Sequence, residues 1–436
     1  MQLPRPEYIR NHVLVALNRY WSADSSAVTE LPVLQKSTVA PITGPLQLLE
    51  IKLPEWAAHC GINGSLLVPA EAVAEAGTWQ HTDWWLAAFL LLEAWHERVW
   101  EQEHGSIHSY SFRLKGWDER AWQHAWVNRI GLFLRQWAIQ KAGEGADSIG
   151  PLPRSKIHMT HDVDAVAKTL PIRLKQGAFN LFNAAQSGRR GQFRQMAARL
   201  RQAIHFLLGR EDWWTFDQLQ EWESDSGIRA TYHFYAGTKP KSLKRWLFDP
   251  GYDIESPKLK ILLEKLAEQG HTIGLHPSFE AWQDADQIAV QRTCVEQAAG
   301  VPVIHCRQHW LRFSWLSTWL SQQTAGLKQD TTLMFNDRPG FRNSSAVAWQ
   351  PWHTERAATL NFAALPSVFM DSHFYDYRAM SADARQMAMR HWLQECYSVG
   401  GEIAVLWHPH TLTTDYGCSD GFQDAVKLMK EFRTCQ

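Results

Sequence analysis

From residue 156 onward, short apolar segments alternate with stretches of helical period. The apolar segments read KIHMTHDVD, RATYHFYAG, HTIGLHPS, VPVIHCRQH, LKQDTTLMF, LPSVFMDS and EIAVLWHPH. Such alternation is typical of βα units, and about seven of them predict an α/β fold, a distorted (β/α)7-type barrel rather than an open sheet. In such barrels, functional groups lie at the carboxyl ends of the strands. Each segment ends in polar or ionisable residues, so we expect the chemistry there.

The first 150 residues have a different texture, mixed α/β giving way to helices. One helix is predicted over DWWLAAFLLLEAWHERVWEQ with Asp83 as its N-cap, and another over ERAWQHAWVNRIGLFLRQWAIQKAG with Gly143 at its end. A stretch rich in Gly, Pro and Ser runs from Gly143 to Ser155 and resembles a linker. A chain of 436 residues exceeds the usual size of one core. We therefore predict an accessory domain of unknown role over 1–150 and a second domain over 151–436.

Composition excludes some partners and suggests a compartment. The formal net charge of −1 gives no overall attraction to nucleic acid, so no nucleic-acid partner is expected. Charges interrupt every apolar stretch at the N-terminus, which therefore lacks the pattern of a secretory signal. The six cysteines form no CxxC pair, which favours reduced thiols. These features together predict a cytoplasmic protein.

Two carboxylates follow the first strand of the second domain, in THDVD. Asp162 and Asp164 are two residues apart, so in an extended chain both point to the same side. Paired acids of this kind can divide their work, one binding a metal and the other acting as a general base. The alternative is a loop of solvated or helix-capping acids.

Histidines and arginines follow three further strands. His276 and Glu280 are four residues apart after one strand, a spacing that brings both to one metal if the segment is helical. The other two strands are followed by six such residues: His305, Arg307, His309 and Arg312 after one, and His408 and His410 after the other. A single histidine there would more often be structural. Four strand ends with ionisable side chains indicate a functional site.

These motifs, in this order, resemble the polysaccharide deacetylases of the NodB-homology group, carbohydrate esterase family 4. The resemblance covers nearly all of 156–436 and includes THDVD, GIRATYHFYA, GHTIGLH, the arginine of HCRQH and LWHPH. The region before the linker is similar, more loosely, to an uncharacterised N-terminal domain fused to bacterial deacetylase domains, some linked to surface-polysaccharide synthesis. The family implies a metal-dependent hydrolase, most often with zinc, that removes N-acetyl groups from an amino sugar of a poly- or oligosaccharide.

The resemblance also implies a role for individual residues. Asp162 is the catalytic base, oriented by Arg307, and His408 is the catalytic acid, supported by Asp330. Asp164 and His276 bind the metal. The family's second metal histidine lies four residues after the first, where this chain has Glu280, so Glu280, His309 or His410 completes the site. Arg312, Trp407 and His410 are candidate contacts to the substrate. The alternative is a catalytically inactive glycan-binding protein on the same barrel.

A basic insertion at about 168–210 interrupts the domain. It contains no Asp or Glu and nine basic residues: Lys168, Arg173, Lys175, Arg189, Arg190, Arg194, Arg199, Arg201 and Arg210. Apolar residues recur within it at helical spacing: Phe193, Met196, Ala197, Leu200, Ile204, Leu207 and Leu208. Such a helix can lie on an anionic membrane or hold a lipid-linked saccharide at the inner membrane face. The alternative is a helix packed on the barrel with a solvated basic face.

Overall fold

The computed structural model describes residues 1–22, 26–33, 42–74, 77–143, 149–209, 211–237, 242–377 and 380–434. Its main sheet has eight strands, which pair in parallel. They are β3 (Lys156–Val163), β4 (Thr231–Phe234), β5 (Thr272–Leu275), β6 (His305–Cys306), β7 (Gln329–Asp330), β10 (Ala363–Ala364), β11 (Ser367–Met370) and β12 (Glu402–Leu406). Two-stranded antiparallel sheets are formed by β1 (Leu48–Lys52) with β2 (Ser65–Pro69), and by β8 (Trp352–His353) with β9 (Ala358–Thr359).

The order in the main sheet is β10-β7-β6-β5-β4-β3-β12-β11, a curled half-barrel. All seven predicted strands are present, and the short β10 adds an eighth at one edge, so the predicted α/β deacetylase-type barrel is confirmed. Strands β4, β5, β11 and β12 are buried along most of their length. Burial on both faces explains why these segments are nearly continuous apolar runs rather than alternating ones.

Helices cover the sheet and form most of the remainder. They are α1 (Pro6–Ala16), α2 (Ser26–Thr29), α3 (Trp84–Leu92), α4 (Trp95–His104), α5 (Trp126–Ala142), α6 (Leu170–Arg189), α7 (Phe193–Leu208), α8 (Phe216–Asp225), α9 (Leu243–Phe248), α10 (Pro257–Glu268), α11 (Ala285–Ala299), α12 (Thr318–Thr324), α13 (Asp371–Tyr375), α14 (Ala382–Ser398) and α15 (Ser419–Thr434). None of the helices in the described part of the chain has both the length and the apolar character needed to cross a lipid bilayer.

The N-terminal region contains both predicted helices, with two differences. The second begins at Trp126 rather than at Glu119, and Glu119–Trp122 forms a separate 3₁₀ helix. The Asp83 carboxylate accepts a hydrogen bond from the backbone N–H of Leu86 (2.9 Å), as expected of an N-cap. Ala94 then adopts a left-handed conformation (φ 41°) and divides the predicted helix into α3 and α4. Gly143 ends α5 in the left-handed conformation (φ 66°) that glycine adopts without strain. Residues 144–148 of the predicted linker lie outside the described residues.

The N-terminal region packs closely on the barrel. A single continuous set of buried hydrophobic side chains includes residues from both. Polar contacts also cross between them: the Tyr20 hydroxyl donates to the Val399 carbonyl (2.6 Å), and the Arg129 guanidinium pairs with Glu395 (2.6 Å). The Arg342 guanidinium pairs with Glu97 of α4, both fully buried, and donates to the Ser109 hydroxyl (2.7 Å). The first 150 residues are therefore attached to the barrel by buried charged groups.

Loss of the buried Arg342–Glu97 pair should destabilise the whole protein. Arg342→Ala leaves the Glu97 carboxylate buried without its guanidinium, a change that costs about 3–5 kcal/mol in comparable pairs. Urea denaturation followed by tryptophan fluorescence measures the free energy of unfolding. Arg390→Ala, which removes an exposed pair with Glu431, is the matched control and should have a much smaller effect. Equal shifts in the two variants would contradict the assigned role of the pair.

The basic insertion forms an antiparallel helical hairpin of α6 and α7. Leu207 of α7 packs against Gly177 of α6, and Met196 packs against Gly188, where a larger side chain would clash. Phe206 contacts Trp213 and Tyr416 of the barrel. Of the nine basic residues, Arg210 lies outside the described residues. The five cysteines that the structure describes are free.

Candidate active site

The predicted functional side chains converge at the carboxyl ends of four strands. Asp162 lies in β3 and Asp164 directly follows it, while His276 directly follows β5. Arg307 and His309 follow β6, and His408 follows β12. Because the strands are parallel and β12, β3, β4, β5 and β6 are consecutive in the sheet, these residues share one edge. The side chains that the sequence predicts to be functional therefore lie together at one edge of the sheet.

Asp164, His276 and His309 form a cluster of candidate metal ligands. The Oδ1 atom of Asp164 is 3.2 Å from Nε2 of His276 and 3.4 Å from Nδ1 of His309, and the two ring nitrogens are 2.8 Å apart. Both histidines are buried and Asp164 is half-buried. Ligands at about 2.1 Å from a tetrahedral zinc ion are about 3.4 Å apart, so the two distances from Asp164 fit such an ion, while the two ring nitrogens lie closer together than that spacing.

Hydrogen bonds on the far side of each imidazole indicate its protonation. Nδ1 of His276 is 2.7 Å from the Arg307 carbonyl, and Nε2 of His309 is 2.6 Å from the Phe248 carbonyl. A carbonyl can only accept, so each of these nitrogens carries a proton, and in the neutral imidazole the other nitrogen presents a lone pair. Two lone pairs and a carboxylate oxygen then face one another, and Oδ1 of Asp164 is buried without a hydrogen-bond donor. A cation satisfies all three, and the mixed nitrogen and oxygen set suits zinc.

Asp162 lies beside this cluster in a cationic setting. Its Oδ1 is 3.4 Å from the Arg307 guanidinium and 3.1 Å from Nδ1 of His233. Burial raises the pKa of the Asp162 carboxyl, but the combined effect of His276, Arg307 and His233 is larger and opposite. The pKa of Asp162 therefore lies below its usual value. Asp162 is therefore ionised and able to accept a proton.

Arg307 is fully buried and is itself held in place by polar partners. It donates to the Thr160 hydroxyl (2.6 Å), the Thr331 carbonyl (3.0 Å) and the Ser367 hydroxyl (2.8 Å). These bonds connect β3, β6 and β11 and fix the guanidinium next to Asp162. His233 lies in β4, the strand next to β3 in the sheet. It was not identified from the sequence, because a lone histidine in an apolar run gives no functional signal.

His408 faces the cluster from the other side, and its partner is Asp371. Nε2 of His408 is 3.6 Å from Oδ2 of Asp164, while Nδ1 is 2.8 Å from Oδ1 of Asp371. The second Asp371 oxygen accepts from the His408 backbone N–H (2.9 Å) and the Thr411 hydroxyl (2.7 Å). Burial lowers the pKa of His408, but Asp371 and the nearby carboxylates raise it more, to about 10. His408 therefore carries a proton directed toward the cluster.

The predicted support of His408 by Asp330 is wrong in this structure. The Asp330 carboxylate accepts from Trp319 (3.0 Å), Gln322 (2.9 Å) and Thr332 (2.9 Å), and burial raises its pKa. The reason is topological: β7, which contains Asp330, is separated from β12 by four strands, whereas Asp371 directly follows β11, the neighbour of β12. Asp371 was missed, although the segment LPSVFMDS was recognised as a strand with polar residues at its end.

Glu280 is not in the cluster with Asp164 and His276. The residues between His276 and Glu280 form an irregular turn rather than a helix, so a spacing of four does not place the two side chains together. Glu280 is instead exposed and pairs with Lys244. In the candidate cluster the third position is occupied by His309, one of the three candidates that the sequence leaves open.

The three predicted substrate contacts have different surroundings. Arg312 is half-buried, with its guanidinium 4.1 Å from the centre of the Phe279 ring and 3.2 Å from His108 of the N-terminal region. His410 stacks on Trp213 (5.7 Å between ring centres), and burial next to His408 lowers its pKa to about 4. Trp407 packs in the core and is 1% exposed, so its predicted contact with a sugar is wrong. Its ring faces the Tyr375 and Phe422 side chains instead.

An aromatic rim that the sequence did not reveal lies beside His309. Trp310 is half exposed in a left-handed conformation (φ 57°), and its ring is 6.2 Å from that of Phe248. Phe248 stacks on Phe279 with 4.4 Å between ring centres. The Phe248 carbonyl accepts a hydrogen bond from the His309 ring, so the aromatic rim directly adjoins the candidate metal ligands.

Comparison with known proteins gives matches at the level of structure. No protein-family model matches the chain, and no curated protein sequence matches it. A solved structure assigned as a polysaccharide deacetylase from Mycobacterium smegmatis has 17% identity over 65% of this chain and 84% of its own, with a TM-score of 0.33. A peptidoglycan N-acetylglucosamine deacetylase has 14% identity over 66% of this chain and 85% of its own, with a TM-score of 0.31.

A third solved structure is that of a CE4 family pseudoenzyme from Bacillus anthracis. It has 9% identity over 66% of this chain and 67% of its own, with a TM-score of 0.31. These three solved structures are thus a polysaccharide deacetylase, a peptidoglycan N-acetylglucosamine deacetylase and a CE4 family pseudoenzyme. At such low identities and TM-scores, they assign no residue role here. A functional assignment therefore rests on the geometry of the site.

Proposed function

We propose that this protein is a metal-dependent hydrolase that removes N-acetyl groups from an amino sugar in a poly- or oligosaccharide. The observation that carries the proposal is the convergence of two imidazole lone pairs and the Asp164 carboxylate next to Asp162 and His408. Three protein ligands with one position left open are typical of catalytic rather than structural zinc sites. Zinc is accordingly the metal we propose.

Each side chain has one task in the reaction. When bound, the metal supplies Lewis acidity, which makes water a stronger nucleophile and polarises the acetyl carbonyl. Asp162, ionised and held by Arg307, accepts the proton from the attacking water. His408, kept protonated by Asp371, donates a proton to the amine as it leaves. The products are acetate and a free amino sugar.

The proposed carrier of the sugar is a lipid-linked intermediate of surface-polysaccharide synthesis at the cytoplasmic face of the membrane. The basic hairpin of α6 and α7 supports it, since a pyrophosphate-linked glycan is anionic. Release of acetate from N-acetylated oligosaccharides, measured with and without a chelator, tests the hydrolase. Zinc bound without any acetate release would favour the alternative, a glycan-binding protein without catalysis.

Asp162→Asn is expected to abolish turnover while zinc remains bound. The amide keeps the shape of the carboxylate but cannot accept a proton, and loss of a general base costs at least ~10²-fold in rate. Asp162 lies outside the cluster of candidate ligands, so metal content should not change. Acetate release and zinc per chain are the two measurements. Asp225→Asn, on the exposed end of α8, is the control, and an active Asp162→Asn variant would place the base elsewhere.

A further inference from the structure

The hairpin of α6 and α7 has an unusual density of exposed apolar side chains. Eight of the 23 exposed large hydrophobic residues in the described part of the chain lie between 170 and 208. They are Leu170, Leu174, Leu181 and Phe182 of α6, and Phe193, Leu200, Ile204 and Leu208 of α7. A soluble monomer rarely exposes so many together without a partner for the surface.

Seven of these side chains, all except Phe182, form one stripe on each helix. On α6, Leu170, Leu174 and Leu181 are separated by four and seven residues, and on α7, Phe193, Leu200, Ile204 and Leu208 repeat at seven and four, so each set shares a helix face. The side toward the barrel carries Gln176 of α6, which donates to the Tyr416 hydroxyl (3.2 Å), and Phe206 of α7, which contacts Trp213 and Tyr416. Both stripes therefore lie on the side of the hairpin away from the barrel.

Charge surrounds this apolar face and has one sign. Arg189, Arg190, Arg194 and Arg201 are exposed on the hairpin, and residues 168–210 contain no acid. Among the acids of the neighbouring barrel, Asp415 is buried beneath the hairpin and pairs with Lys168 (2.7 Å) and His205 (2.8 Å). Two copies of so basic a face would repel each other. An anionic lipid surface complements both its charge and its apolar side chains.

The apolar surface continues from the hairpin to the active site. Nζ of Lys175 in α6 donates to the Leu247 carbonyl of α9 (2.7 Å) and lies 5.4 Å from the centre of the Trp246 ring. Leu243, Trp246 and Leu247 are themselves exposed. The last residue of α9 is Phe248, whose carbonyl holds the ring of His309 and whose side chain borders the exposed Trp310.

We propose that the hairpin and α9 form a membrane-docking face that seats the protein on an anionic bilayer, with the apolar stripes in the interface and the arginines at the lipid phosphates. Docking itself does not depend on the deacetylase activity. The effect of docking on the choice of substrate rests on the proposed function: the active site would open at the bilayer surface and take an acetylated sugar attached to a lipid.

Cosedimentation with vesicles tests the docking face on the full-length protein. Vesicles of equal parts phosphatidylglycerol and phosphatidylcholine should bind the wild type at low salt, and pure phosphatidylcholine vesicles should bind it far more weakly. A Phe182→Ser, Phe193→Ser, Leu208→Ser variant should bind at least ~10-fold more weakly. An Arg190→Gln, Arg194→Gln, Arg201→Gln variant should lose at least ~10-fold as well, since each basic residue contributes about fivefold.

Matched controls have the same chemistry away from the hairpin. Ile261→Ser, Val290→Ser, Met387→Ser removes three exposed apolar side chains, and Lys52→Gln, Lys427→Gln, Lys430→Gln removes three exposed charges. Both controls should bind vesicles like the wild type. Equal losses in control and hairpin variants would overturn the proposal, because binding would then reflect overall charge or hydrophobicity.

Two further outcomes separate this proposal from its rivals. If the wild type ignores phosphatidylglycerol vesicles but is a dimer that the serine variant dissociates, the face is a contact between copies and the membrane proposal fails. Hydrolysis of a soluble acetylated oligosaccharide by the serine variant should equal that of the wild type. Vesicle binding without acetate release from any substrate would leave the docking face standing and overturn only the deacetylase.

Discussion

Alanine in place of Asp164, His276 or His309 is expected to remove stoichiometric zinc and, with it, all measurable acetate release. Each variant deletes one of the three groups whose lone pairs meet within 2.8 to 3.4 Å. Removing a residue that hydrogen-bonds to a metal ligand typically lowers metal affinity by roughly 10–100-fold. Removing the ligand itself should therefore lower the affinity by more. Titration against a zinc-chelating dye measures affinity, and circular dichroism verifies that each variant remains folded.

Glu280→Ala is the informative control for the three ligand variants. The family resemblance places a metal ligand at this position, but in the structure the side chain is exposed and pairs with Lys244. We therefore expect this variant to bind zinc like the wild type. Zinc lost from Glu280→Ala but retained in His309→Ala would show that the segment after β5 rearranges around the metal, and would contradict the ligand set proposed here.

The strands and the location of the site are readable from the sequence because both depend on local patterns. Apolar runs bounded by polar residues identify the strands, and the parallel connection forces their carboxyl ends to one edge. Four of the site residues lie at the end of such a run or directly after it: Asp162, Asp164, His276 and Arg307. The order of the motifs is therefore enough to predict that these side chains lie near one another.

The parts that the sequence does not reveal depend on long-range order or on the form of a turn. Asp371 meets His408 because β11 lies beside β12, a neighbour relation that motif order does not contain. His309 rather than Glu280 joins His276 because the chain after β5 makes an irregular turn. Likewise, periodicity predicts an apolar stripe on α7 but not that Phe193 and Leu208 face away from the barrel.

Asp371→Asn is expected to lower kcat by roughly 10²- to 10⁴-fold, the range that general acid catalysis contributes. An asparagine in this position has an acceptor at only one of the two oxygen positions, so it can serve either the His408 ring or the His408 backbone and Thr411 hydroxyl, and it has no charge to stabilise a protonated imidazole. The pKa of His408 should therefore fall, and less of it would be protonated at neutral pH. Zinc content should be unchanged, because Asp371 does not belong to the ligand cluster. Steady-state acetate release and zinc per chain test both statements.

Asp330→Asn distinguishes this assignment from the one that the family resemblance implies. Asp330 is as deeply buried as Asp371, but the groups it binds are Trp319, Gln322 and Thr332, which have no contact with His408. The asparagine amide replaces one hydrogen-bond acceptor by an NH₂ group, which would then face the N–H or O–H donor of a neighbour. The free energy of unfolding should therefore fall by about 1–3 kcal/mol. The fraction that remains folded should nevertheless have a kcat close to that of the wild type. If Asp330→Asn instead removes activity while Asp371→Asn retains it, the support of His408 passes through Asp330, and the pairing seen here is not the catalytic one.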